Sequence, residues 1–256
     1  MTYIYEHPLN ERMRLFKRLE QMLAQMNRFS NALDYYSVQL FLNALFDVLD
    51  FLQRYEIRGE LIKELQIYKT AIERQQFGEH IHEIAIDELL KLIEENLHFI
   101  HQHNNNLLGS LRENELLNHL KQRNFNQSGN CVFEVPAFQY WLQSCASHSR
   151  NEFLSNCNEL FAPITKAIDL ILELVREGAA LSEEIGNDGV FLRNIDNKRR
   201  NQMVRVHLSD YLDVFPRVSG DKHRVAIRFM RQINPELRAQ QVMSENVPFQ
   251  LQICTV

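Results

Sequence analysis

Apolar residues recur every three or four positions through the first two thirds of this chain and every second position near its end, so one kind of secondary structure cannot bury both patterns. A helix hides a stripe of period 3.6 and a strand hides a face of period two; the chain needs a helical region and a sheet region. Met13, Phe16, Leu19, Leu23 and Met26 mark a first helix after Pro8, which suits a helical first turn because its missing N–H would have no partner there. Leu40, Phe41, Ala44, Leu45, Val48, Leu49 and Leu52 form a broader stripe, as expected of a helix packed on two neighbours. Ile57 to Ile72, Ile86 to Ile100, and Ile164 to Val175 repeat the helical period, the last beginning after Pro163 and stopping at Gly178, a C-cap signal. These segments predict five or six long helices in an antiparallel bundle-like domain.

From about Asn187 the period is two. Val204, Val206 and Leu208 alternate with Met203, Arg205 and His207; Val225, Ile227 and Phe229 alternate with Arg224, Ala226, Arg228 and Met230; Phe249, Leu251 and Ile253 alternate with Gln250, Gln252 and Cys254. Ser219-Gly220-Asp221 is a turn signal between them. A short apolar run at 131–135 before Pro136 predicts a further strand, and if it returns to this sheet the domains are interleaved rather than sequential. The predicted fold is α+β, a mainly helical bundle-like domain over 1–127 and 137–184 with a smaller antiparallel β-domain over 128–136 and 185–256. Residues 185–256 hold 11 Lys and Arg against 7 Asp and Glu, and the remainder 17 against 26, so a mildly basic sheet module accompanies an acidic helical one. That distribution points to an anionic partner for the sheet rather than nucleic acid wrapped around the whole surface.

Motifs for chemistry are missing. No apolar run approaches a membrane span, and the charged start, Met1 to Arg14, is unlike a signal peptide, which implies a cytoplasmic protein without membrane insertion. Cys131, Cys145, Cys157 and Cys254 contain no CxxC pair and read as reduced thiols. His80 and His82, or His98, His101 and His103, could offer imidazoles, but no cysteine or carboxylate pair completes a set, so no metal site is assigned. There is no GxSxG, GxGxxG or GxxxxGK[ST] motif, and adjacent acids such as Glu94-Glu95 point about 100° apart on a helix. The reading is no enzyme and no cofactor.

The basic residues remain. Lys198-Arg199-Arg200 lies in a polar stretch that reads as a solvated loop. Arg224 and Arg228 share a strand face about 13 Å apart at ~3.3 Å per residue, with Ala226 and Met230 on the same face. This combination suits an acidic peptide with hydrophobic anchors, unless the two arginines pair with carboxylates across the sheet. A single-stranded nucleic-acid module, with Phe229, Phe191 and Tyr211 stacking on bases, is the alternative, although no RNP-like signature is present.

Glu6-His7-Pro8-Leu9-Asn10-Glu11-Arg12-Met13-Arg14, Arg58-Gly59-Glu60-Leu61-Ile62-Lys63-Glu64-Leu65 and the stretch from Ser219 to Met230 resemble the bacterial cell-division family ZapD, with Leu111-Arg112-Glu113, Ser128-Gly129-Asn130-Cys131 and Trp141 in the same order. The resemblance implies a helical domain plus a β-domain, a symmetric homodimer, and binding to the C-terminal tail of the tubulin-like GTPase FtsZ at midcell. By bridging filaments such a dimer bundles FtsZ and stabilises the division ring, with no catalysis of its own. It also implies a positively charged tail site between the domains, to which Arg54 and Arg224, the latter in Lys222-His223-Arg224, correspond. Where the family can carry another basic residue before its last strand, this chain has Asn246-Val247-Pro248; Arg228 and Arg238 are the candidates to replace it.

Overall fold

The computed structural model describes residues 2–31, 34–74, 83–102, 109–124, 135–196, 198–209, 213–221, 223–231 and 239–256. The strand predicted at 131–135 falls outside them except for Val135, which precedes a helix; His80, His82, His103, Lys222, Tyr211 and Arg238 also lie outside. The described residues form nine helices and eight strands in an α+β fold. They divide into two compact units, Met1–Lys17 with Tyr68–Ile86 and Ile171–Val256, and Arg18–Ile67 with Asp87–Leu170.

Strand β1 (Thr2–Pro8) precedes helix α1 (Glu11–Arg28), so Pro8 closes a strand rather than opening a helix. Pro8 is tolerated because β1 is an edge strand, whose outward N–H positions need no ladder partner. Asn10 starts the helix instead: its Oδ1 accepts from Met13 N at 3.0 Å, and its Nδ2 donates to Gln202 Oε1 at 2.7 Å.

The second unit is helical. In α2 (Tyr35–Arg54), Asp34 caps the N-terminus by accepting from the Tyr36 and Ser37 amides, and Val38, Phe41, Leu42, Ala44, Leu45, Phe46, Val48 and Leu49 are buried, the broad stripe predicted. Helices α3 (Ile57–Glu73) and α4 (Glu83–Gln102) follow, and Arg58 of α3 donates to the Ile100 and His101 carbonyls, which have no intrahelical partners at the end of α4. Four shorter helices, α5 (Gly109–Glu113), α6 (Glu115–Asn124), α7 (Pro136–Ser144) and α8 (Ser147–Glu159), lead to α9 (Ala162–Glu177). The Gly178 amide donates to Leu174 O at 3.1 Å, where the sequence places a C-cap.

The first unit holds two antiparallel sheets. One has the order β1, β4 (Asn201–Ser209), β8 (Val247–Thr255), β2 (Ser182–Gly186); the other has β3 (Val190–Asn194), β6 (Arg224–Arg231), β5 (Phe215–Gly220), with the short β7 (Gln240–Gln241) also on β6. The three predicted strands are β4, β6 and β8, but they belong to different sheets. Val204, Val206, Leu208, Val247, Phe249 and Leu251 of the first sheet bury against Val225, Ile227 and Phe229 of the second, a sandwich core in which each such side chain contributes about 1.5–3 kcal/mol.

The chain passes from one sheet to the other through Asn187-Asp188-Gly189-Val190. Asp188 and Gly189 have φ of 48° and 70°, and Val190 N donates to Asn187 O at 2.9 Å, the pattern of a type I′ turn. A β-carbon on Gly189 would lie 2.0 Å from the carbonyl oxygen of Val242.

The other face of the first sheet receives α1 and α9 around one carboxylate. Glu6 of β1 accepts from Lys17 at 2.7 Å, Arg176 at 2.8 and 3.0 Å, and Arg205 at 3.1 Å, and its side chain is 14% exposed. Arg205 also donates to Gln252 Oε1, whose amide nitrogen donates to Ala179 O just beyond α9. Burial pushes the Glu6 pKa up, but the hydrogen bonds and charges of Arg176 and Lys17 outweigh it and bring the group from 4.5 down to about 2.

Two outcomes are expected. Gly189→Ala combines a left-handed backbone with a collision and should cost about 3 kcal/mol, read as a lower urea midpoint; an unchanged midpoint would contradict the close approach. Because the folded pKa of Glu6 lies below its unfolded value, its contribution is complete above about pH 4.5 and is lost as pH falls toward about 2. At about 1.4 kcal/mol per pH unit this is about 3 kcal/mol, which the wild type should lose across that window and Glu6→Gln should not; parallel stability–pH curves would refute it.

A candidate basic interface on the second sheet

Strand β6 alternates between two environments. Val225, Ile227 and Phe229 are buried in the sandwich, while Arg224 and Arg228 are exposed on the opposite face, as period two requires. The β5–β6 hairpin fixes where that face begins: Asp221 Oδ1 accepts from His223 N at 2.7 Å and Arg224 N at 3.0 Å, and Asp221 N donates to Arg224 O at 3.0 Å. Those backbone hydrogen bonds, with the charges of His223 and Arg224, hold the Asp221 carboxyl below its usual range. The turn signal in the sequence thus sits where a turn forms, and it presents Arg224 at the head of β6.

The register answers whether the arginines pair across the sheet. Arg224 lies opposite Asn194, and Arg228 lies between Val190 on β3 and Arg217 on β5. Elsewhere in this unit Arg193 reaches Glu184 at 2.6 Å and Arg231 reaches Glu245 at 2.9 Å. No comparable ion pair engages Arg217, Arg224 or Arg228 among the described residues, and the Asp221 carboxylate that senses Arg224 is held by the turn backbone. Between the guanidinium groups stand Ala226 and its neighbour Leu192, which is 66% exposed. This face therefore offers fixed positive charge beside uncovered apolar surface.

Arg217 did not emerge from sequence reasoning. The signal was available in Val218, a partly buried position packed on the core, which sends Arg217 to the outer face; Pro216 obscured β5 as a strand. Arg54 is exposed in the last turn of α2 and belongs to the other unit. Lys198 and Arg199 are exposed in the loop between β3 and β4, where Lys198 N donates to Asp196 Oδ1 at 2.9 Å.

Of the aromatic side chains proposed for base stacking, the two that are described point elsewhere. Phe229 is fully buried and Phe191 packs edge-on to Phe249, with ring centroids 5.1 Å apart. Cys157 and Cys254 are buried thiols, each pushed up to about 12 by desolvation, and Cys145 is a free thiol at an intermediate position. Among the described residues no group of three His, Cys, Asp or Glu is placed to hold a metal, and no helix is long and apolar enough to cross a membrane.

Comparison with known proteins relates the sequence of this chain to one family. The family model described as ZapD, a cell division protein, matches residues 17–228. Cell division protein ZapD of Methylococcus capsulatus is 34% identical over 251 residues, covering 98% of this chain and 97% of the relative. The proteins of that name from Nitrosomonas eutropha and Vibrio parahaemolyticus are 30% and 29% identical, again over nearly the whole of both chains.

Proposed function

The chain belongs to the ZapD family of cell division proteins, and from that membership we propose that it is a non-enzymatic crosslinker that binds the C-terminal tail of FtsZ. It acts in the cytoplasm at the midcell division site as a homodimer, bundling FtsZ filaments and stabilising the Z-ring. Arg54, Lys222, Arg224 and Arg228 are the proposed tail contacts. The observation that carries the reading is the outer face of β6, where Arg224 and Arg228 stand exposed beside Leu192 without carboxylate partners among the described residues. Guanidinium groups that form no ion pair among the described residues, next to apolar surface, are suited to a segment with both acidic and hydrophobic side chains.

No bond is made or broken in this mechanism. Each tail contact is weak because a flexible segment loses conformational freedom when it binds. A dimer carries two sites related by symmetry, and a polymer displays many tails, so the second contact forms at high effective concentration. Filaments are crosslinked by valence alone. Dimerisation through the helical region leaves the sheet face available for tails.

Arg224→Glu should weaken binding of a labelled FtsZ tail peptide by about tenfold and reduce filament bundling, while the circular dichroism spectrum and dimer mass are unchanged. Wild-type affinity should fall as salt rises above physiological strength, because exposed charges are screened over about 8 Å there. Bundling by the variant at the wild-type level would show that β6 is not the tail site.

A further inference from the structure

Arg217 and Arg228 are directly opposite each other on neighbouring antiparallel strands, a position that brings their Cα atoms to about 4.5–5.5 Å. Both side chains are exposed on the same face, and neither meets a carboxylate among the described residues. Like charges opposed in this way destabilise a sheet, so folding alone gives no reason for the pair.

The first sheet of this same protein shows what relieves such a pair. There Arg205 and Arg176 converge on a single carboxylate oxygen, Glu6 Oε1, at 3.1 and 2.8 Å, and Glu6 itself comes from the strand position opposite Arg205. At Arg217 and Arg228 two guanidinium groups are present and the acid is supplied by no described residue. Beside them, Val190 is opposite Arg228 on the other flank, and Leu192 lies one face position further along β3, 66% exposed. One carboxylate and one apolar side chain close together would satisfy both features.

We propose that Arg217 and Arg228 form a two-guanidinium clamp for one carboxylate of an extended acidic peptide, with Leu192 and Val190 receiving a neighbouring apolar side chain. The proposal rests on the preceding reading in taking the FtsZ tail as that peptide, and it makes Arg217 a specificity-determining residue. Arg228 then serves two partners, Arg217 through the shared carboxylate and Arg224 through the common face. The clamp selects a segment whose acid and apolar side chain are adjacent in space over one in which charge alone is high.

The test separates binding from folding. In Arg217→Gln, titration with the tail peptide should show affinity reduced about fivefold or more and a shallower salt dependence, while the thermal midpoint stays level or rises as the like-charge contact disappears. Arg217→Lys, which keeps the charge and loses the planar fork, should recover only part of the affinity. Unchanged affinity in Arg217→Gln overturns the clamp, as does a lowered midpoint accompanying the loss, which would make Arg217 a structural residue. Binding of a single-stranded oligonucleotide in place of the peptide, dependent on Arg217, also overturns it.

Arg224→Glu run in parallel distinguishes the two readings: loss there with normal binding by Arg217→Gln retains the tail site and removes the clamp. Should the wild type not bind the tail peptide, the preceding reading fails, and the clamp is judged with citrate, a small polycarboxylate. Thermal stabilisation of the wild type by citrate that is absent in Arg217→Gln supports it; equal stabilisation, or none in either, refutes it.

Discussion

The sheet formed by β1, β4, β8 and β2 is held on both of its faces, and the rest of the first unit is arranged around that constraint. One side is covered by apolar residues of the second sheet, the other by α1 and α9. The helix-facing side carries a carboxylate and its cations where apolar residues would be simpler. Glu6 is held by groups from α1, α9 and β4, so a single acid links the chain's first strand to the helix that follows it and to one far along the chain. A buried charge is costly unless it is paired and hydrogen-bonded, and Glu6 is both, which is why its carboxyl stays ionised well below the ordinary range.

The same logic of partner and absence of partner distinguishes the two faces of the sandwich. Arg176 and Arg205 face inward and are neutralised; Arg193 and Arg231 meet Glu184 and Glu245 near the edges. Arg217, Arg224 and Arg228 point out from the second sheet and form no ion pair with a described residue. Strand β6 serves both purposes because alternate side chains are separated by the full thickness of the sheet. Its Val225, Ile227 and Phe229 anchor the core, and the rigidity they confer holds the arginines at fixed spacing.

Long helices and the central strands were legible because each buries a continuous stripe or face, as in α2, α9, β4, β6 and β8. The elements that sequence reasoning passed over have mixed faces. In β1, Tyr5 packs toward the sandwich while Glu6 faces the helices, so the polar residue that hides a strand in the sequence is the one that fixes it in the structure. The sequence reading did not single out Asp188-Gly189, and the structure shows that the turn there carries the chain between two sheets. The exposed position of Arg224 and Arg228 on one face followed from period two; the identity of their cross-strand neighbours did not.

What the sequence determined by itself was the α+β class, the principal helices and strands, the turn before Arg224 and the family. These depend on local periodicity and on runs of residues read in order. The tertiary structure alone decided that β6 lies in a different sheet from β4 and β8, that Glu6 gathers three cations, and that Arg217 stands against Arg228. Each of these is a matter of register or of approach between distant segments. Hydrophobic patterning specifies which face of a strand is buried, but the partner opposite each residue is fixed only when the strands and helices pack.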